Sequence, residues 1–99
     1  MALGIAPEVE ADLDDIWSYV ATKSGEVDVA DRLINAITDH FFILSRYPHV
    51  GRSRDYDLRP GLRSLSVGEY IIIHRVEARD VLILHVLHGR RHLKTLLGE

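Results

Sequence analysis

Residues Glu69–Arg91 read EYIIIHRVEARDVLILHVLHGRR, and this stretch decides the fold. Two apolar runs, Tyr70–Val76 and Val81–His88, flank a polar turn at Glu77-Ala78-Arg79-Asp80. β-Branched residues dominate the first run and alternate with other apolar residues in the second, the pattern of a strand–turn–strand hairpin. With Ala78-Arg79 as the central turn residues, Val76 lies opposite Val81, His74 opposite Ile83, Ile72 opposite His85 and Tyr70 opposite Leu87. Side chains alternate across a strand, so the hairpin has two faces. One carries Ile71, Ile73, Leu82, Leu84 and Val86 and reads as core. The other carries Tyr70, Ile72, His74, Ile83, His85 and Leu87, and its mixture of aliphatic, aromatic and imidazole groups reads as an open face that receives another molecule.

Upstream, Leu62–Val67 alternates as a further strand, and Gly68 turns it into Tyr70. A tight turn there brings Arg63 and Leu65 beside Tyr70 and Ile72. Before it, residues 48–61, PHVGRSRDYDLRPG, read as a loop. The N-terminal part is helical. Val9, Leu13, Ile16, Trp17 and Val20 recur at helical spacing from Pro7 to about Thr22, with Trp17 in the core stripe. Pro7 suits a first helical position, while Ala6 is a poor cap. Asp12, Asp14 and Asp15 read as a solvated face near the positive end of the helix dipole. After Lys23-Ser24-Gly25 a second helix runs from about Glu26 to Tyr47. Its stripe is Ala30, Leu33, Ile34, Ile37, Phe41 and Leu44, which Phe42 and Ile43 widen, and Pro48 stops it. Leu3-Gly4-Ile5 makes a short initial strand, and Arg90–Leu97 a short terminal helix. The order predicts an α+β fold: an N-terminal strand, a two-helix antiparallel hairpin, then a three-stranded antiparallel meander with the helices on one face.

The chain has 99 residues, the size of one domain spanning 1–99. It contains no cysteine, so disulfides and thiolate metal sites are excluded, which suits the cytoplasm. No apolar run is long enough to span a membrane. Charge is asymmetric. Residues 1–40 hold nine carboxylates against two cations (net −7), and residues 41–99 hold ten cations against six carboxylates (net +4). Such a split suits an acidic or anionic partner for the C-terminal half.

Four segments together resemble the RelE/ParE superfamily of toxins from type II toxin–antitoxin modules. They are APEVEADLDDIWSYV, ILSRYPHVGR, LRSLSVGEYIIIHRV and VLILHVLHGRR, which between them span nearly the whole chain. The LHVLHGRR ending, and the lack of a lysine-rich central loop, resemble the ParE branch more than the RelE branch. The resemblance implies a toxin neutralised by a ParD-like antitoxin whose disordered segment folds around it. The ParE branch implies inhibition of DNA gyrase without chemistry. The RelE branch implies cleavage of messenger RNA on the ribosome.

Cleavage through a 2′-hydroxyl needs a base, a cation for the phosphate and an acid for the leaving oxygen. Only Arg63, His74, His85, His88 and Arg91 offer that set. With two lysines in all, and no tyrosine beyond Tyr70, the chain departs from the RelE pattern, so no catalytic residue is expected. The residues expected to bind antitoxin or target are Arg63, Leu65, Tyr70, Ile72, His74, His85, Leu87, Arg90 and Arg91. No metal site and no cofactor are expected: His88 and His92 lie four apart, but no helix reaches His88.

Overall fold

The computed structural model describes residues 3–55 and 60–89. Seven elements follow in order: β1 (Leu3–Ile5), α1 (Pro7–Ser24), α2 (Val27–Arg46), β2 (Arg52–Ser53), β3 (Leu62–Val67), β4 (Tyr70–Glu77) and β5 (Asp80–His88). The strands form one sheet in the order β1-β5-β4-β3-β2. Strands β2 to β5 pair antiparallel, while β1 runs parallel to β5. This is the expected α+β arrangement, with one unforeseen strand: the two-residue β2 pairs with β3 through Arg52↔Ser64 and Ser53↔Arg63. The expected terminal helix over Arg90–Leu97 lies outside the described residues.

Local chemistry explains the helix ends. Gly25 adopts φ 71 and donates its N–H to the Ala21 carbonyl at 2.9 Å, closing α1 with a left-handed cap. The Ser24 hydroxyl donates to the Val20 carbonyl at 2.7 Å and accepts the Glu26 N–H at 3.1 Å, so it serves both helix ends. Ala6 makes no side-chain cap, as its chemistry requires. In the loop after α2, Gly51 sits at φ 101, and a Cβ there would lie 2.6 Å from the Ser64 carbonyl oxygen. Only glycine lets the chain pass this close over β3.

The helix pair covers the opposite sheet face from the one expected. Tyr70, Ile72, Val81, Ile83 and Val86 pack with Val9, Ile16, Ile37, Phe41 and Leu44 in the main core. Ile72, Ile83 and His74 are each 0% exposed. Leu62, Ile71, Ile73, Leu84 and Leu87 instead form a smaller cluster on the other face. Periodicity could not decide between them, because Tyr70–His74 is apolar on both sides of β4. A bulge also intervenes. The expected pairing holds for Val76↔Val81 and His74↔Ile83, then slips by one, giving Ile73↔His85, Ile72↔Val86, Ile71↔Leu87 and Tyr70↔His88. Leu84 is the extra residue. The slip moves Val86 to the side of Ile72, because a one-residue shift exchanges strand faces.

Two helix expectations also change. Phe42 and Ile43 do not widen the buried stripe but project outward, with Phe42 66% exposed. Trp17 is not in the main core; it lies at the flank of the helix pair, where its Nε1–H donates to Asp31 Oδ1 at 2.8 Å.

The β4–β5 turn centres on Ala78-Arg79 as expected, with Ala78 at φ 53, the only positive φ among described non-glycine residues. Positive φ at the first central position is the type II′ pattern, which favours glycine. Ala78→Gly should therefore stabilise the fold by about 0.5–1 kcal/mol, part of the relief being offset by the freer unfolded chain. Urea unfolding would read this as a raised midpoint at unchanged slope.

Candidate functional site

The seam between α1 and β5 brings together Asp12, His85 and His88 beside a cleft. Strand β1 stops at Ile5 opposite Ile83, and the Ala6 N–H donates to the Ile83 carbonyl at 2.8 Å before the chain enters α1. Beyond that point the outer edge of β5 has no strand neighbour among the described residues. Asp12, in the second turn of α1, fills the gap. Its Oδ2 accepts the Val86 backbone N–H at 3.0 Å and His85 Nδ1–H at 3.1 Å. The carboxylate is thus docked on the sheet rather than solvated, correcting the expectation for Asp12; Asp14 and Asp15 are exposed. A signal existed: Asp12 lies three residues after Val9 and four before Ile16, and both are buried.

A cleft of about 210 Å³ opens beside this contact, lined by Asp12, Asp15, Ile16, Tyr19, Tyr70, Val86, Leu87 and His88. Tyr70 and His88 meet edge to face, with ring centroids 5.5 Å apart and planes at 84°. His88 Nε2 lies 3.7 Å from Glu69 Oε2. The cleft's walls are aromatic and aliphatic, and its fixed charges are carboxylates. Such a lining repels a phosphodiester and suits protein side chains.

Elsewhere, of the expected site residues, Tyr70, Ile72 and His74 are buried, and Arg63, Leu65 and Leu87 partly so. Arg63 and His74 share a face, as expected, and are cross-strand partners; His74 is buried under the helices and Arg63 partly exposed. Arg63 Nη2 donates to the carbonyls of His49 at 2.7 Å and Gly51 at 3.1 Å, pinning the loop after α2. Its Nε is buried and has no partner among the described residues. His74 Nδ1–H donates to the Ile72 carbonyl at 3.2 Å, leaving Nε2 buried and likewise without a partner among the described residues. Burial pushes the His74 pKa down; the bond to Ile72 partly offsets this, and the Arg63 cation adds to the lowering. Ile72 and Tyr70 are buried, and Leu65 packs against the main core, so none of the three lies on an open face. Leu87 belongs to the outer cluster. His85 does not join His74, because the bulge pairs it with Ile73 and it reaches Asp12 instead. Arg90 and Arg91 lie outside the described residues. The four described groups considered for cleavage are therefore divided: Arg63 and the buried His74 lie on β3 and β4, while His85 and His88 sit at the α1–β5 seam. Among the described residues no three His, Asp or Glu side chains converge as a metal site.

Two consequences can be measured. Asp12→Ala leaves the Val86 N–H without its acceptor and should cost about 1–3 kcal/mol in urea unfolding, whereas Asp12→Asn keeps a carbonyl oxygen there and should lose less. His74 gives a pH dependence. Its folded-state pKa lies below the ordinary imidazole value of about 6.5, so as pH falls through that value the unfolded chain takes up the proton first. The His74 contribution is therefore complete above about pH 6.5 and is lost as pH falls towards the folded-state pKa. Unfolding series from pH 8 to 5 should show the stability difference between wild type and His74→Leu shifting in favour of the variant on the acid side.

The chain matches, over residues 3–93, the family described as ParE toxin of type II toxin-antitoxin system, parDE. It is 42% identical over 91 residues to Toxin ParE3 of Caulobacter vibrioides, covering 92% of this chain and 89% of that one. Toxin ParE1 of the same organism is 32% identical over 96 residues, 95% of each chain. Toxin ParE1 of Mycobacterium tuberculosis is 30% identical over 87 residues, 87% of each. A solved structure, described as the chromosomal ParDE TA system from P. aeruginosa, shares the fold with a TM-score of 0.76 at 23% identity, over 89% of this chain and 95% of that one. The α+β architecture, the family match over residues 3–93 and the identity to curated relatives agree: the chain belongs to the ParE toxin family of type II toxin–antitoxin systems.

Proposed function

We propose that this toxin, acting in the cytoplasm, inhibits DNA gyrase by binding it, without chemistry of its own, and is held inactive by a ParD-like antitoxin. The observation that carries this reading is that His74 is fully buried and the Arg63 guanidinium is tied to the loop after α2. The cation and imidazole that phosphodiester cleavage would need are both engaged with backbone carbonyls, Arg63 with those of His49 and Gly51 and the buried His74 with that of Ile72. What remains at the surface is a cleft with aromatic, aliphatic and carboxylate walls, which favours a polypeptide over a nucleic acid. In this reading His85, Leu87 and His88 touch the partner. Arg63, Leu65, Tyr70, Ile72 and His74 act from beneath, by holding the surface in shape. Membership of the ParE family supports gyrase as target, and the ParDE assembly of the P. aeruginosa structure supports an antitoxin partner.

The direct experiment is a supercoiling reaction with purified gyrase and relaxed plasmid. Added toxin should block supercoiling at near-stoichiometric amounts, and prior addition of the cognate antitoxin should restore it. Unimpaired supercoiling, together with cleavage of translated messages in a reconstituted translation system, would replace this reading with that of a ribosome-dependent endoribonuclease.

A further inference from the structure

Seven large apolar side chains are exposed among the described residues, and four of them, Phe42, Ile43, Tyr47 and Val50, fall within nine consecutive positions. Tyr47 is 64% exposed and lies one helical turn beyond Ile43, its N–H bonded to the Ile43 carbonyl at 2.8 Å. Val50 follows through its own N–H to the Tyr47 carbonyl at 3.0 Å. These bonds string three of the four along the end of α2 and the turn that leaves it, and Phe42 flanks them one position before Ile43. The surrounding charge has one sign. Residues 40–54 contain Arg46, Arg52 and Arg54 and no carboxylate; Asp39 and Asp55 mark the two ends. Arg46, His49 and Arg52 are exposed beside the apolar residues. The segment is also held in place, because the Arg63 guanidinium grips the carbonyls of His49 and Gly51 on either side of Val50. An exposed apolar group rimmed by cations and fixed from below is a preformed docking surface, and its charge selects an acidic partner.

We infer that the end of α2 and the turn through Arg52 form a second docking surface, apart from the α1–β5 cleft, for an acidic polypeptide segment bearing apolar anchors. On the reading above, which this inference rests on, that segment belongs to the antitoxin. The apolar residues supply the affinity, and Arg46 and Arg52 guide the encounter.

The test measures binding of the full-length toxin to its co-expressed cognate antitoxin, with melting curves confirming that each variant is folded. Phe42→Ser with Tyr47→Ser should weaken binding about 30-fold or more, mainly through faster dissociation. Arg46→Glu with Arg52→Glu should slow association about tenfold and flatten its dependence on salt. Wild-type affinity in the folded Phe42/Tyr47 variant overturns the inference while leaving the antitoxin reading intact. Faster association of the Arg46/Arg52 variant would mean a basic partner segment and would also overturn it. So would self-association of free toxin that the Phe42/Tyr47 substitutions abolish, since the occupant would then be a second copy of this chain. Failure of wild-type toxin to bind the antitoxin at all removes both readings together.

Discussion

The carboxylate of Asp12 closes the gap that the short β1 leaves along the outer edge of β5. Strand β1 is three residues long and β5 is nine, so parallel pairing satisfies only the first part of the outer edge of β5. An unpaired N–H at a half-buried edge costs free energy comparable to a lost hydrogen bond. One oxygen of Asp12 answers the Val86 N–H and also fixes His85. Because Asp12 belongs to α1, the same contact ties the helix to the strand just past the bulge. That phase of β5 places Val86 with Ile72 and Ile83 under the helices. The cleft lined by Tyr19, Tyr70 and His88 follows from the same alignment of α1 on β5.

Much of the fold is legible in the sequence. Pro7, Gly25 and Pro48 punctuate the helices, and Ala78-Arg79 marks the hairpin turn even though alanine is a poor residue for positive φ. Legibility ends where two physical solutions look alike. The run Tyr70–His74 offers aliphatic groups to both sides of β4, so alternation names two faces without saying which one the helices take. The bulge at Leu84 leaves no trace in composition, yet it exchanges the faces of Val86 and His85. The histidine on the apolar face, His74, reads in the sequence as exposed and in the fold is buried. A neutral imidazole that gives its one N–H to a carbonyl can be wholly buried. Asp12 was obscured by Asp14 and Asp15, whose solvated helix face conceals that Asp12 alone points along the Val9–Ile16 side.

The charge split of the sequence takes on spatial meaning in the fold. Exposed carboxylates such as Glu8, Glu10, Asp14 and Asp15 lie along α1, whereas Arg46 and Arg52 gather where α2 ends. A partner that is acidic and amphipathic meets repulsion along α1 and attraction at the end of α2. Charge of this kind orients an encounter more than it tightens a complex. Tightness must come from apolar groups, and these are already concentrated beside the cations in Phe42, Ile43, Tyr47 and Val50.

Arg63 connects these observations. Read along the chain it is a candidate phosphate ligand, being an arginine on a strand beside histidines. In the fold its guanidinium is held by two carbonyl oxygens and pairs with no carboxylate among the described residues, so it fixes the 49–51 turn without cancelling its own charge. The turn gains rigidity, and the field around it stays positive. Both effects favour binding over bond cleavage. A rigid surface loses less conformational freedom when a partner lands on it, and a cation screened only by dipoles still attracts an anionic chain. A catalytic arginine must reach a scissile phosphate; an arginine that braces a loop from within must not be able to leave it. The hold of Arg63 on the His49 and Gly51 carbonyls, beside the buried His74, fits the second role.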